Sequence, residues 1–279
     1  AAHPLIKHVA AQFAKADATG QTPNEWDVIS LGLHIGPAPA FKPLVPFGND
    51  PAADAWDSRR LLQPDLLALL RDFCRDADCA GFLRGQAGYF RAVDRAMAHR
   101  GDPIDQAWFR RFFALPPTET YRPVLSLMGA SDLGYVRVNH GGERRATYTV
   151  VAVKGMDRQG LPTALNQAAM ERLNLHETAH AYANQLVDRN LARLQRPAEI
   201  LLRRPATWTR VKDSFYNNAP FLMRETFVRA VAIKYAEAHG GGPSVREREI
   251  AEQEQAGFVW MRAFVEQLDA YERGRARYK

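Results

Sequence analysis

The 279-residue chain contains no run of 18 apolar residues, so no segment of it qualifies as a membrane-spanning helix. It also lacks a long basic run. Its 37 Lys and Arg against 31 Asp and Glu give a net charge of +6 and a pI near 9.4. The excess is scattered as single arginines, and no recognised nucleic-acid motif accompanies it, so nucleic acid is not an expected partner. A solvated face, or a preference for acidic substrates, accounts for the charge. Cysteine is nearly absent. Cys74 and Cys79 stand five apart, with no other cysteine beside them and no histidine nearer than His99, which argues against a second metal site; a small disulfide and two thiols both remain open. There is no initial Met. Ala1 suits a mature exported chain, periplasmic or extracellular, whose signal peptide has been removed, and trimming would look the same.

At 46% hydrophobic residues the chain has the composition of an ordinary globular protein, long enough for one large domain or two modest ones. Leu5, Ile6, Val9, Ala10 and Phe13 mark an amphipathic helix over 4–16, and Trp26–Leu33 reads as a strand. From Gly36 to Pro51 five prolines and two glycines predict an irregular segment, with His34 at its start as an expected surface residue. Helices follow over 61–73, 81–99 and 103–113, and their dense aromatics (Phe109, Phe112 and Phe82 among them) read as packing between helices. Pro116-Pro117 breaks this pattern and divides a mainly helical region, 1–117, from a second region, 118–279, though the two can form one continuous domain. Beyond it, 121–128, 133–139 and 145–154 alternate and carry β-branched residues, which predicts antiparallel strands with His140 in the turn between the last two.

The chemistry concentrates in Leu173-Asn-Leu-His176-Glu177-Thr-Ala-His180. Two imidazoles four residues apart on a helix point the same way and can hold one zinc ion, while Glu177 projects from the neighbouring side of the turn as a general base. Ala169, Leu173, His176, His180, Ala183 and Val187 recur at steps of four and three, placing both histidines in the buried stripe of a helix of about 25 residues between Thr163 and Asn190.

A catalytic zinc takes three protein ligands and keeps one position open. Ala183 and Leu186 stand where HExxHxxGxxH would require glycine and histidine, so a third histidine of that kind is excluded. A later helix supplies an acid instead. Asn218 can cap it, Pro220 suits its first turn, Gly240–Gly242 end it, and Glu225 lies with Leu222, Val228 and Ala232 on a mostly apolar face. A carboxylate there is costly unless paired or coordinating, and a plain salt bridge to Arg229 is the competing account. Asp188, Glu199 and Asp213 are alternative third ligands.

At these residues the chain resembles the gluzincins, zinc metallopeptidases with His-Glu-x-x-His on one helix and a glutamate on a following one; the likeness covers roughly 133–239. The resemblance implies an α+β, predominantly helical protein whose zincin-like catalytic part has a small antiparallel sheet, an HExxH helix and a glutamate helix, preceded by a helical N-terminal region. It implies His176, His180 and Glu225 as ligands of one Zn2+ per chain, Glu177 as base, and a peptide or protein substrate. The thermolysin-like Asn-Glu-x-x-x-Asp pattern is absent, since Arg224 precedes Glu225 and Arg229 stands in the aspartate's place. The run from Arg224 to Val231 resembles instead that of little-characterised bacterial members. Asn184, Asp188 and Asp213 are candidates for holding the outer imidazole nitrogen. A donor must also meet the developing oxyanion: Tyr216 is the first choice, with His239 or Arg229 the second. Residues 245–271 read as a final helix, acidic early and basic late, without chemistry. Two other classes remain. One is a metal-free binding or scaffold protein on the same frame; the other is a zinc hydrolase of non-peptide substrates.

Overall fold

A computed structural model describes residues 2–19, 25–44, 65–97, 104–114, 119–127, 134–139, 145–152, 155–161, 167–204 and 218–276. These are predominantly helical, with one small sheet. The chain groups into two compact units, the first formed by 1–102 and 118–174, the second by 103–117 and 175–279.

The first unit holds α1 (Pro4–Thr19), α2 (Glu25–His34), α3 (Leu66–Asp76), α4 (Cys79–Gly85), α5 (Ala87–Met97) and the strands β1 (Glu119–Ser126), β2 (Gly134–Asn139) and β3 (Arg145–Ala152). Leu5, Leu31, Ile35 and Leu66 form one apolar cluster with Leu70 and Phe73. The strand expected at Trp26–Leu33 is the helix α2. Its β-branched Val28 and Ile29 suggest a strand, yet its buried residues, Asp27, Ser30, Leu31 and His34, recur with helical period, and Ile29 and Leu33 pack on Val136, Val138 and Val150 of the sheet. His34 is likewise corrected: it is buried, and its Nδ1–H donates to the Ser30 carbonyl at 2.7 Å. The helix expected over 81–99 breaks at Gln86 into α4 and α5, and Phe82 is 63% exposed instead of packed. Cys74, in α3, and Cys79, opening α4, form a disulfide with Cα atoms 4.7 Å apart.

The sheet has the order β1-β3-β2 and is mixed. β2 runs antiparallel to β3, from Gly134 opposite Val150 to Asn139 opposite Arg145, as expected of a hairpin. β1 runs parallel to β3, from Glu119 beside Arg145 to Ser126 beside Ala152, which corrects the expectation of a wholly antiparallel sheet. Alternation fixes which face a side chain takes but not which neighbour a strand joins. Pro123 fits this order, because β1 is an edge strand and can spare one ladder N–H. The turn at His140 lies outside the described residues.

The second unit contains α6 (Gln106–Phe113), most of α7 (Gln167–Arg189), α8 (Leu191–Leu202), α9 (Ala219–Ala236), α10 (Gly242–Gln255) and α11 (Met261–Ala276). Asp105 caps α6 by accepting from the Trp108 N–H at 3.0 Å. Phe109 and Phe112 are buried, in keeping with the packing role expected of the aromatics, and Phe109 and Phe113 both stack on Tyr182 of α7 at 5.0 and 5.3 Å. A single wide turn, Glu237–Gly241, joins α9 to α10. Gly241 is required there: an added Cβ would lie 2.6 Å from the Ala236 carbonyl oxygen. The one helix expected over 245–271 is in fact two. Gly257, at φ 106°, turns the chain between α10 and α11, a conformation a residue with a side chain rarely adopts.

Candidate metal centre

α7 is buried along Thr178, Ala179, Ala181, Tyr182, Ala183 and Val187, so the turns carrying His176 and His180 face the interior of the second unit. The two rings lie 4.7 Å apart at 82° to one another, and their Nε2 atoms approach to 3.1 Å. α9 begins as its sequence predicts: the Asn218 side chain accepts from the Phe221 N–H at 3.1 Å, with Pro220 in the first turn. That start aims Glu225 inward on the face of Leu222 and Val228, where it is buried. Its Oε1 is 3.1 Å from His180 Nε2 and its Oε2 is 3.6 Å from His176 Nε2.

His176, His180 and Glu225 thus converge as a group that could hold a metal ion, and their donor atoms lie within 4.8 Å of one another. The separations fit such a role. Metal–ligand bonds of 2.0–2.1 Å in a tetrahedron set neighbouring donors about 3.3 Å apart; here the two Nε2 atoms are 3.1 Å apart, His180 Nε2 is 3.1 Å from Oε1, and His176 Nε2 is 3.6 Å from the other oxygen, Oε2. Electrostatics point the same way. The Asn184 Oδ1, an acceptor, sits 3.0 Å from His180 Nδ1, which places that ring's proton on Nδ1 and leaves the Nε2 lone pair facing the carboxylate. Lone pairs converging in a buried place need a cation, either a proton or a metal. Without a metal, protons take the part: burial opposes the imidazolium of His180, but Glu225, with help from Glu177 and Asn184, holds its pKa above the usual histidine value. Burial also opposes ionisation of Glu225, yet the two histidines outweigh it and hold the carboxyl well below its usual range.

The remaining candidates divide clearly. Glu177 is buried next to this group and its charge acts on His180. Asn184 holds the outer nitrogen of His180, as one of three residues expected for that task. Asp188 instead bridges to Arg224 at 2.7 Å on the surface, and Glu199 accepts from Gln195 at 3.2 Å. Neither belongs to the group that could hold a metal ion. His239 is engaged elsewhere, 3.3 Å from Asp105 and stacked on Tyr235. Tyr216 and Asp213 lie outside the described residues. Arg229 does bridge to Glu225, with its Nε at 3.2 Å and Nη2 at 3.1 Å from Oε2, so the salt bridge and the convergence with the histidines occur together. Gln253 and Phe258, which contact Arg229, carry no signal in the sequence. They reach the site only through the folding of α10 and the turn after it.

Among the described residues no helix is long and apolar enough to cross a membrane. No curated protein and no solved structure matches the chain. Residues 64–279, a span that takes in every candidate donor and well over half of the sequence, match the family described as a domain of unknown function, DUF4932, and the chain belongs to that family.

Proposed function

We propose that this chain is a zinc metallopeptidase of the gluzincin type, with His176, His180 and Glu225 holding one Zn2+ and Glu177 serving as general base. The observation that carries the reading is the convergence of three side chains: His180 Nε2 lies 3.1 Å from both His176 Nε2 and Glu225 Oε1, and His176 Nε2, on a ring still 24% exposed, lies 3.6 Å from Glu225 Oε2. Zinc bound there would supply Lewis acidity, polarising a carbonyl and acidifying a coordinated water. The protein's part is to present the donors and move the proton. Asn184 fixes the tautomer of His180, so that Nε2 meets the ion as a lone pair. Glu177, on the same turn as His176, accepts a proton from the attacking water and returns it to the leaving amine. The Cys74–Cys79 disulfide supports an oxidising compartment, hence export.

One observation favours a second reading. Arg229 and the histidines already neutralise Glu225, as they would in a metal-free scaffold. Metal analysis separates the two. One zinc per chain, lost in His176→Ala with the fold retained, supports the enzyme; a chain that takes up no zinc from a metal-replete buffer belongs to the scaffold class. A digest of a peptide library then identifies the cleaved bond, and Glu177→Gln should retain zinc while cleavage stops. Zinc uptake without cleavage of any peptide would move the reading to a hydrolase of other substrates.

A further inference from the structure

The two oxygens of Glu225 have different surroundings. Oε1 faces His180 Nε2 at 3.1 Å. Oε2, 3.6 Å from His176 Nε2, accepts a hydrogen bond from Arg229 Nε at 3.2 Å and lies 3.1 Å from Nη2 of the same guanidinium. That guanidinium is held in turn: its Nη1 donates to Gln253 Oε1 of α10 at 2.7 Å, and its carbon lies 4.6 Å from the ring centroid of the buried Phe258. An ordinary helix salt bridge one turn apart needs no such bracing. Arg224, on the same helix, pairs with the exposed Asp188 and has only a 5.6 Å approach to the exposed Phe221. Arg229 is a permanently charged planar fork fixed by a second helix and by a ring on the turn that follows it.

We infer that Arg229 is a positioning residue that occupies Oε2 of Glu225 and restricts this carboxylate to a single donor oxygen, Oε1, so that the ion keeps a coordination position for water or a substrate carbonyl. The inference rests on the metal-site reading above. Carboxylates bind metals through one oxygen or both, and a catalytic zinc differs from a closed structural one by the position it leaves open. An oxygen engaged by two nitrogens of one guanidinium is a poorer second donor to a metal than its free twin.

The full chain loaded with Co2+ in place of zinc tests this, because visible absorption of the ion is strong at four-coordination and weaker at five or six. The cobalt content of each variant is read by mass spectrometry. Arg229→Met should bind one Co2+ with absorption several-fold weaker and shifted, since both oxygens of Glu225 become available. Arg229→Lys, whose ammonium can still occupy Oε2, should return towards the wild-type spectrum. Gln253→Ala, which loosens the fork without removing it, should shift the spectrum in the same direction as Arg229→Met. A folded Arg229→Met chain that holds one Co2+ with the wild-type spectrum overturns the inference and leaves the metal site standing. If that variant does not fold, an unchanged spectrum in Gln253→Ala overturns it instead. A wild-type chain that takes up no Co2+ removes the metal site itself, and this inference with it.

Discussion

α9 carries two charged clusters, and they are built differently. Near its C-terminal end Lys234 donates to Asp269 at 2.6 Å, Glu237 at 2.9 Å and Glu272 at 3.1 Å, while Arg246 meets Asp269 at 2.7 Å and Glu237 at 3.2 Å. Donors there face acceptors, so the cluster is satisfied by its own side chains and ties α9, α10 and α11 together. Near the N-terminal end, around Glu225, two imidazole nitrogens converge on a carboxylate, and the arginine present grips one of its oxygens, Oε2. One cluster is closed and structural. The other is a convergence of side chains that could hold a metal ion.

The sharpest way to break that comparison is to add metal. Zinc at a thousandfold excess over its dissociation constant should stabilise the wild-type chain by about 4 kcal/mol, seen as a rise in the thermal midpoint that a chelator reverses. Glu225→Ala should abolish the rise, and a rise that persists would mean that zinc binds elsewhere. Next in size, Lys234→Met should destabilise the fold by about 2–3 kcal/mol in denaturant titration, less than a fully buried pair because Glu272 is 40% exposed. It should leave the zinc response intact, since that cluster has no part in the site. Asn184→Ala should weaken zinc binding by about tenfold in a chelator competition with little change in stability, because the tautomer of His180 is no longer fixed. The smallest effect is in the acid limb. Burial opposes ionisation of Asp269, but Arg246 and Lys234 more than compensate and lower its pKa. A carboxyl lowered in the folded state contributes stability above its unfolded pKa of about 3.9 and loses it as pH falls through the folded value. The stability gap between wild type and Asp269→Asn should therefore be full at pH 7 and narrow below about pH 4. A gap independent of pH would mean that packing, not charge, holds the cluster.

The donors of the site were legible in the sequence because helical period converts spacing into direction. His176 and His180, four apart in an apolar stripe, must share a face, and Asn218 with Pro220 sets the start of the helix that turns Glu225 inward. What a side chain meets across a helix interface has no such local code. Gln253 and Phe258 reach Arg229 only through the break at Gly257, and reading α10 and α11 as one helix hides both. α2 was misread for a related reason. Its β-branched Val28 and Ile29 favour a strand locally, and burial of Asp27, Ser30 and His34, which no apolar pattern predicts, reveals the helix. The direction of β1 is a property of the fold and not of its residues.

Tyr182 stands two residues beyond His180, its ring nearly parallel to those of Phe109 and Phe113, at 20° and 14°, and 5.0 and 5.3 Å from them. Such stacking sets the azimuth of α7, since rolling the helix about its long axis would pull the phenol ring off both neighbours. The bearing of the helix turns that carry the histidines is consequently set by folding, so the entropy of orienting them would not fall on a ligand that needs both rings.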